Sequence, residues 1–225
     1  MTNFTNIASA ILAFLAITTF VSSTPVSVKG NSVIVQDSSI PIIDQTTQDK
    51  ELGDFVMKLM TVSGVKHSIA KKEILARTFV RVANEIFKDN EQKKGYAIVV
   101  TIESAWNPEV GSTAGAVGLS QIMPQYAKSF GTQCGITGLS DADYKDPEIN
   151  LLLGACLFRS LIENLDNTAL ALAAYNAGVN SGSVKDLAAM RTIKVQETAS
   201  YIAKYMFVQE KVERMEKATR LQQAR

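Results

Sequence analysis

Apolar side chains recur at helical spacing from about residue 50 onward, and this periodicity predicts a mainly α-helical protein. Gly64 is expected to end the first helix, whose apolar face is formed by Leu52, Phe55, Val56, Leu59 and Met60. A second helix is predicted from the apolar positions Ile74, Leu75, Phe79, Val82, Ile86 and Phe87. Asn107-Pro108 is expected to end a third helix, whose face holds Tyr96, Val99, Ile102 and Trp106.

A loop rich in glycine and alanine at residues 111–118 separates these helices from the next ones. Asp146-Pro147 is typical of a helix start, because Asp caps the first turn and proline fits the first helical position. Thr168 opens a short alanine-rich helix that Gly178 closes, and a further helix is predicted over residues 194–208. The apolar face of the helix after Pro147 is formed by Leu152, Leu153, Cys156, Leu157 and Leu161.

Residues 209–225 are predicted to form a charged helical tail. An acidic side chain precedes a basic one by four positions, the favourable order in a helix, in the pairs Glu210–Arg214, Glu213–Lys217 and Glu216–Arg220. We expect a solvated extension, and a partner-binding segment is the alternative.

The N-terminus has a different pattern: no charged side chain precedes Lys29, and Ile7 to Val21 is almost wholly apolar. This run suits the hydrophobic region of a signal peptide and is marginal for a membrane span, which needs ~20 residues. Residues 1–24 are predicted to be a signal peptide or a retained anchor that contacts the membrane through residues 4–21, with a buried helix as the alternative. Residues 25–48 are predicted to be a linker with one short strand at Val33–Val35.

Composition limits the chemistry that the chain can carry. Lys+Arg 23 against Asp+Glu 22 gives no basic excess, so nucleic acid is not expected as a partner. With His67 as the one histidine and two cysteines, a Cys/His zinc site and a Ser-His-Asp triad are disfavoured. We expect no metal and no cofactor, with carboxylates supplying acid–base chemistry. Cys134 and Cys156 fit a disulfide in an exported protein, and two separate buried thiols are the alternative.

Glu103 is the candidate catalytic acid. It lies at the end of an apolar helix beside Ile102 and Trp106, where partial desolvation raises a carboxyl pKa and keeps the group protonated near neutral pH. A protonated carboxyl can act as a general acid on a poor leaving group such as a sugar oxygen. On this segment alone, an exposed glutamate at a helix end is the simpler interpretation.

Three further segments carry polar side chains suited to a carbohydrate. Gln121 follows the loop at residues 111–118 and can hydrogen-bond a sugar hydroxyl or amide with both ends of its side chain. Tyr175 and Asn176 combine an apolar face with amide donors and acceptors. Tyr201 follows Glu197 by four residues, so both lie on one helical face. Each segment is weak evidence by itself.

Together and in this order, the segments resemble the soluble lytic transglycosylase (SLT) domain of the goose-lysozyme-like superfamily. The resemblance covers residues 74–208, about three-fifths of the chain, within a predicted domain of residues 49–208. Ser120 departs from the family pattern, which most often has methionine there, and we expect the smaller side chain to reshape one subsite. The matching segments are Glu103-Ser104 before Asn107-Pro108, Gly115-Ala-x-Gly-Leu-x-Gln-x-x-Pro124, the Asp146-Pro147 helix start, Ala174-Tyr-Asn-Ala-Gly178 and Glu197-Thr-x-x-Tyr201.

The resemblance implies a lysozyme-like helical fold and an enzyme that cleaves the β-1,4 bond between N-acetylmuramic acid and N-acetylglucosamine in peptidoglycan. The product carries a 1,6-anhydro ring, and Glu103 is implied as the catalytic acid and then base. Ser104 would orient Glu103 or the substrate, and Tyr201 would hold the carboxyl in place. Substrate-binding positions are implied at Ser104, Gln121, Tyr175, Asn176 and Tyr201.

The residues themselves agree with a single catalytic carboxyl. Ordinary glycosidases use two carboxylates, about 5–5.5 Å apart when retaining and about 6.5–9.5 Å apart when inverting. The matched segments hold no second acid except Glu109 and Glu197. One alternative is a hydrolytic muramidase in which Glu109 activates water. The other is a non-catalytic cell-wall-binding or structural module.

These inferences predict an exported protein, either periplasmic or membrane-associated, or associated with a virion if a phage encodes it. The expected partners are peptidoglycan glycan strands, together with an envelope-spanning machine or a virion.

Overall fold

The computed structural model describes residues 47–223, which are mainly α-helical as predicted. Strand-like pairing within this range is limited to two isolated bridges, Gly111↔Val117 and Val117↔Ile122. A short 3₁₀ turn at Asp143–Lys145 precedes the fifth helix. The helices are α1 (Thr47–Val62), α2 (Ile69–Ile86), α3 (Asn90–Ser104), α4 (Pro124–Gln133), α5 (Pro147–Leu165), α6 (Thr168–Ala177), α7 (Gly182–Ala188) and α8 (Gln196–Gln223).

Most of the N-terminal predictions fall outside the described residues. These are the signal peptide or anchor at residues 1–24, the membrane contact at residues 4–21 and the linker with its short strand. The last two linker positions, Thr47 and Gln48, belong to α1. Within residues 47–223, no helix combines the length and the apolar character needed to cross a membrane.

The described residues form two compact units. The larger unit comprises residues 47–156 and 208–223, and the smaller unit comprises residues 157–207. The boundaries fall within α5 and within α8.

In the larger unit, α1 packs against α2 and α3 through its predicted apolar face, and all five of the predicted side chains are buried. A polar chain also links the three helices. The Lys93 ammonium donates to the Asn84 side-chain oxygen at 2.7 Å, and the Asn84 amide donates to Asp49 at 2.7 Å. Buried polar groups need such partners, because an unpaired one costs free energy.

The apolar face of α2 is only partly as predicted. Leu75, Phe79 and Val82 are buried, and Phe87 is buried just after the helix ends. Ile74 is 56% exposed, so its predicted place in the core is wrong. The core-facing stripe begins at Leu75, and Ile74 lies about 100° around the helix from it.

Helix α5 begins as predicted, since Asp146 Oδ1 accepts hydrogen bonds from the N–H groups of Glu148 and Ile149 at 2.9 and 3.0 Å. Cys134 directly follows the last residue of α4 and forms a disulfide with Cys156 of α5, with a Cα–Cα distance of 6.3 Å. Export to an oxidising compartment is consistent with this bond. The disulfide fixes the end of α4 against α5.

The predicted helix at residues 194–208 and the charged tail form one continuous helix, α8. The solvated extension that we expected is wrong at Val212, which is 2% exposed, whereas most of the described side chains of the tail are exposed. The exposed Lys211 ammonium donates to the Val62 carbonyl at 2.5 Å, which joins the start of the tail to the end of α1. Ion pairs form at Arg214–Glu210 and Arg220–Glu216, whereas Glu213 accepts a hydrogen bond from Gln209.

The smaller unit is built on α6 and α7. Asn167 caps α6 by accepting from the Leu170 N–H at 3.0 Å, and Gly178 ends that helix at a φ of 88° as predicted. Because the helix is rich in alanine, its neighbours approach it closely. The core cluster of this unit contains Leu161, Ala171, Ala173, Ala174 and Val184.

We expect the Cys134–Cys156 disulfide to stabilise the larger unit by restricting its unfolded state. A loop of 22 residues predicts a contribution of roughly 3 kcal/mol. The variant Cys134→Ser/Cys156→Ala should therefore lose about that much unfolding free energy in urea denaturation. The wild type reduced with dithiothreitol is the control and should show the same loss. An unchanged urea midpoint in the double variant would contradict the stabilising role of the disulfide.

Candidate active site

Glu103 is the penultimate residue of α3, and its side chain is half-buried. The chain then turns sharply, because Ala105 and Trp106 both take left-handed conformations with φ of 48° and 62°. The predicted continuation of α3 to Asn107, with Trp106 on its face, is therefore wrong. Two successive left-handed residues other than glycine are strained, and such strain persists only where the surroundings hold it.

Trp106 holds this turn in place. Its side chain is fully buried, and its indole N–H donates to Thr101 Oγ1 at 2.8 Å, one turn back in α3. The ring packs edge-on against Phe79 at a centroid distance of 5.5 Å. His67 Nε2 donates to the Trp106 carbonyl at 2.9 Å, so the one histidine of the chain fixes the backbone beyond Glu103.

Ser104 also stabilises this turn through its side chain. Its side chain is 7% exposed, and its hydroxyl donates to the Val100 carbonyl at 3.1 Å and accepts from the Trp106 N–H at 3.1 Å. These bonds support the turn behind Glu103, which agrees with the expected orienting role of Ser104, and its substrate contact stays a prediction.

The loop that carries Gln121 folds back on itself through the two bridges at Val117. Gln121 has a φ of 47°, and its amide nitrogen donates to the Val110 and Gly118 carbonyls at 3.1 and 3.0 Å. The side chain thus uses its donor end to close the loop, and its carbonyl oxygen is the end that suits a ligand donor. We had expected both ends to serve a sugar.

Asn150 of α5 anchors this loop to the larger unit and was missed by the sequence analysis. It is fully buried, its amide nitrogen donates to the Val117 and Tyr144 carbonyls at 2.9 and 2.7 Å, and its oxygen accepts from the Ser120 N–H at 2.7 Å. A Cβ on Gly118 would lie 2.5 Å from the Asn150 amide nitrogen, so this approach requires glycine. The available clue was one amide side chain within the apolar run at residues 149–153.

Tyr96 joins the helix of Glu103 to the loop of Gln121. Its buried hydroxyl lies 2.6 Å from Ser120 Oγ and donates to the Leu151 carbonyl at 2.7 Å. Burial raises the pKa of Tyr96, and the charge of Glu103 raises it further, so the hydroxyl stays protonated. Ser120 is fully buried against Tyr96, so it does not line a subsite itself, and its expected effect on the shape of one stays a prediction.

The other predicted site residues belong to the smaller unit. Tyr175 and Asn176 are half-buried near the end of α6, and the Tyr175 ring packs edge-on against Phe158 at 6.1 Å. Tyr201 is 6% exposed on α8, whereas Glu197 in the first turn of that helix is exposed. The structure therefore groups Glu103, Ser104 and Gln121 within the larger unit.

Metal ligation is not suggested by the described part of the chain, where no group of three or more His, Cys, Asp or Glu side chains is arranged to hold an ion. The chemistry that the larger unit offers is one half-buried carboxyl at a helix end whose turn is held by hydrogen bonds. The same helix is joined at Tyr96 to a loop that its own hydrogen bonds close. That arrangement suits proton transfer.

Comparison with known proteins assigns residues 83–194 to the transglycosylase SLT domain. The chain is 32% identical over 156 residues to the soluble lytic murein transglycosylase of Escherichia coli K12, covering 61% of this chain and 24% of that protein. It is 36% identical over 85 residues to the transglycosylase of Enterobacteria phage PRD1, covering 38% of this chain and 29% of that protein. The chain thus spans about a quarter of the length of these relatives.

Solved structures share the fold. The 70 kDa soluble lytic transglycosylase of Escherichia coli aligns with a TM-score of 0.52 at 24% identity, over 71% of this chain and 29% of that one. An inactive mutant of the lytic transglycosylase Slt from Pseudomonas aeruginosa aligns with a TM-score of 0.51 at 23% identity, over 74% of this chain and 30% of that one. The predicted lysozyme-like fold is confirmed by this likeness.

We expect Asn150→Ala to destabilise the larger unit by about 3 kcal/mol, because it removes three hydrogen bonds to backbone groups, two of which, to the Ser120 N–H and the Tyr144 carbonyl, are buried. The unfolding free energy from urea denaturation measures the loss. Asn164→Ala, which removes an exposed amide on the same helix, is the matched control and should change stability by less than about 0.5 kcal/mol. Equal effects of the two substitutions would contradict the anchoring role.

Ala105→Gly should stabilise the protein by about 0.5 kcal/mol, because glycine relieves the left-handed strain at an exposed position and offsets its own entropic cost. Ala97→Gly in the interior of α3 is the control and should destabilise by about 1 kcal/mol or more. Thermal and urea unfolding report both values. A loss of stability at both positions would show that the turn carries no strain.

Proposed function

We propose that this chain, which contains a transglycosylase SLT domain at residues 83–194, is a peptidoglycan lytic transglycosylase. The observation that carries the proposal is the placement of Glu103, which lies half-buried at the end of α3 inside the matched region. Its turn is fixed by Trp106 and Ser104, and the loop of Gln121 is tied to the same helix through Tyr96.

The proposed reaction uses Glu103 twice. The protonated carboxyl first donates its proton to the glycosidic oxygen, and the bond between that oxygen and C1 of N-acetylmuramic acid breaks. The N-acetyl group of the same sugar stabilises the positive charge at C1, as in substrate-assisted glycosidases. The carboxylate then takes the proton of the C6 hydroxyl while that oxygen bonds to C1, which gives the 1,6-anhydro ring and restores protonated Glu103.

The remaining predicted residues are proposed to bind the glycan strand. Gln121 offers its side-chain oxygen to a sugar hydroxyl or amide N–H, because its nitrogen is used within the loop. Tyr175 and Asn176 are proposed to line subsites, and Tyr201 to act near the carboxyl of Glu103. No metal or cofactor takes part in this scheme.

A hydrolytic muramidase is the main competing function, and it would use Glu109 to activate a water molecule. Glu109 is exposed, and its N–H bonds to the Asn107 side chain in the turn after Trp106. A non-catalytic wall-binding module is the second alternative, and it would not need Glu103.

The proposed setting is outside the cytoplasm, in the periplasm, at a membrane, or in a virion. The disulfide supports export, and the similarity to a transglycosylase of phage PRD1 supports the virion among these settings. The proposed partners are glycan strands, with an envelope-spanning machine or a virion as the assembly that places the enzyme at the wall.

Glu103→Gln should lower the rate of peptidoglycan cleavage by a factor of about 10² to 10⁴, because an amide cannot transfer the proton. Glu109→Gln is the matched control and should retain activity. Digestion of purified peptidoglycan, followed by mass spectrometry of the fragments, measures both the rate and the product. Anhydro ends identify the transglycosylase, whereas reducing ends, heavier by one water, would identify a muramidase. Unchanged cleavage by Glu103→Gln would contradict the assignment of the catalytic acid.

A further inference from the structure

We propose that Tyr96 is a positioning residue for the reaction, whose hydroxyl sets the placement of Glu103 relative to the loop of Gln121. This inference rests on the proposed function. Tyr96 does not reach the substrate in this role; it acts through Ser120 on the loop and through the backbone of α5.

The hydrogen bonds at Tyr96 have one possible direction. A phenol has one hydrogen, and the Leu151 carbonyl at 2.7 Å can only accept, so the Tyr96 hydrogen is used there. Ser120 Oγ, at 2.6 Å, must therefore donate its own hydrogen to the Tyr96 oxygen. The resulting chain runs from the loop through Tyr96 of α3 to α5.

Tyr96 and Glu103 lie on the same side of α3, because seven residues make almost two helical turns. The electrostatic influence of the Glu103 carboxylate on Tyr96 agrees with this placement. A bond that fixes Tyr96 against Ser120 therefore limits both the rotation and the sliding of the helix end that carries the carboxyl. Gln121 directly follows Ser120, so the same bond locates the loop.

The surroundings leave little room for an alternative arrangement. A Cβ on Gly154 would lie 2.4 Å from Ser120 Cβ and 2.5 Å from the Tyr96 hydroxyl oxygen. Helix α5 can therefore approach the pair only because residue 154 is glycine. The Tyr96 ring is held independently, stacked on Phe79 at 5.5 Å and tilted against Phe87 at 5.7 Å. Tyr96→Phe should keep these ring contacts and remove the hydroxyl alone.

The test compares Tyr96→Phe, Ser120→Ala and the double variant with the wild type on purified peptidoglycan. If the hydroxyl positions the carboxyl, Tyr96→Phe lowers kcat by a factor of about 10 to 100 while KM changes little, because misplacement of a reacting group affects the chemical step. Ser120→Ala loses less activity, since Tyr96 keeps its bond to Leu151. The double variant should be no worse than Tyr96→Phe, as expected for residues that act as one unit.

Tyr144→Phe is the matched control, because it removes the hydroxyl of another buried tyrosine in the same unit. Its kcat should equal that of the wild type. If Tyr96→Phe also keeps the wild-type kcat at a temperature where the protein is folded, and only lowers the unfolding midpoint, the residue is structural and the proposal is wrong.

A second measurement does not depend on the activity of the chain. Amide hydrogen exchange at residues 118–122 should accelerate at least several-fold in Tyr96→Phe and stay unchanged in Tyr144→Phe. Unchanged exchange in that loop would overturn the positioning role. Absence of anhydro products from the wild type would instead contradict the proposed function, so the two failures are distinguishable.

Discussion

The loop at residues 111–122 brings backbone N–H and C=O groups into the protein interior, and every such group requires a partner there. Backbone bonds of the loop itself supply several of these partners, and the Asn150 amide adds bonds to the Ser120 N–H and the Val117 carbonyl. The same amide also binds the Tyr144 carbonyl, which lies outside the loop. The side chain lies on α5, so the loop keeps its shape only while α5 stays packed behind it. Glycine at position 118 is part of the same arrangement, because any larger residue would displace the amide. Gly118 in the glycine-rich loop and Asn150 in the apolar helix therefore form one contact, and each residue type is required by the other.

The end of α3 is also fixed by a buried side chain, that of Trp106. A helix that simply continued past Glu103 would carry Trp106 about two turns beyond Val99 on the same face. The left-handed pair Ala105 and Trp106 instead turns the chain so that the indole is fully buried and its N–H is satisfied by Thr101. Burial of so large a side chain stabilises the fold by more than the turn costs in strain. The consequence for chemistry is that Glu103 sits at a rigid helix end, with its backbone fixed from both sides.

Periodicity predicted the helices because most of them bury one continuous stripe, as α1 does with all five expected side chains. It failed where a contact between distant segments decides the outcome. The end of α3 depends on the hydrogen bonds that join Trp106 to Thr101 and to His67. The burial of Val212 depends on packing within the fold, which the charged pattern of the tail does not reveal. Glu103 and Gln121 could be predicted because the motifs that contain them follow one another in a specific order along the chain. Asn150 and Tyr96 could not, since a buried hydrogen bond produces no periodic pattern in the surrounding sequence.

Ser120 departs from the family pattern at a position that lies inside the protein. Taken alone, a small polar residue in place of methionine suggests an altered surface, but the side chain is fully buried. Its hydroxyl faces the Tyr96 hydroxyl at 2.6 Å, with Gly154 close to both. A methionine side chain at this position would need the volume that the Tyr96 hydroxyl and α5 occupy. The Tyr96–Ser120 hydrogen bond occupies this position instead, and it makes the link between the loop and α3 directional, which apolar packing alone would not be.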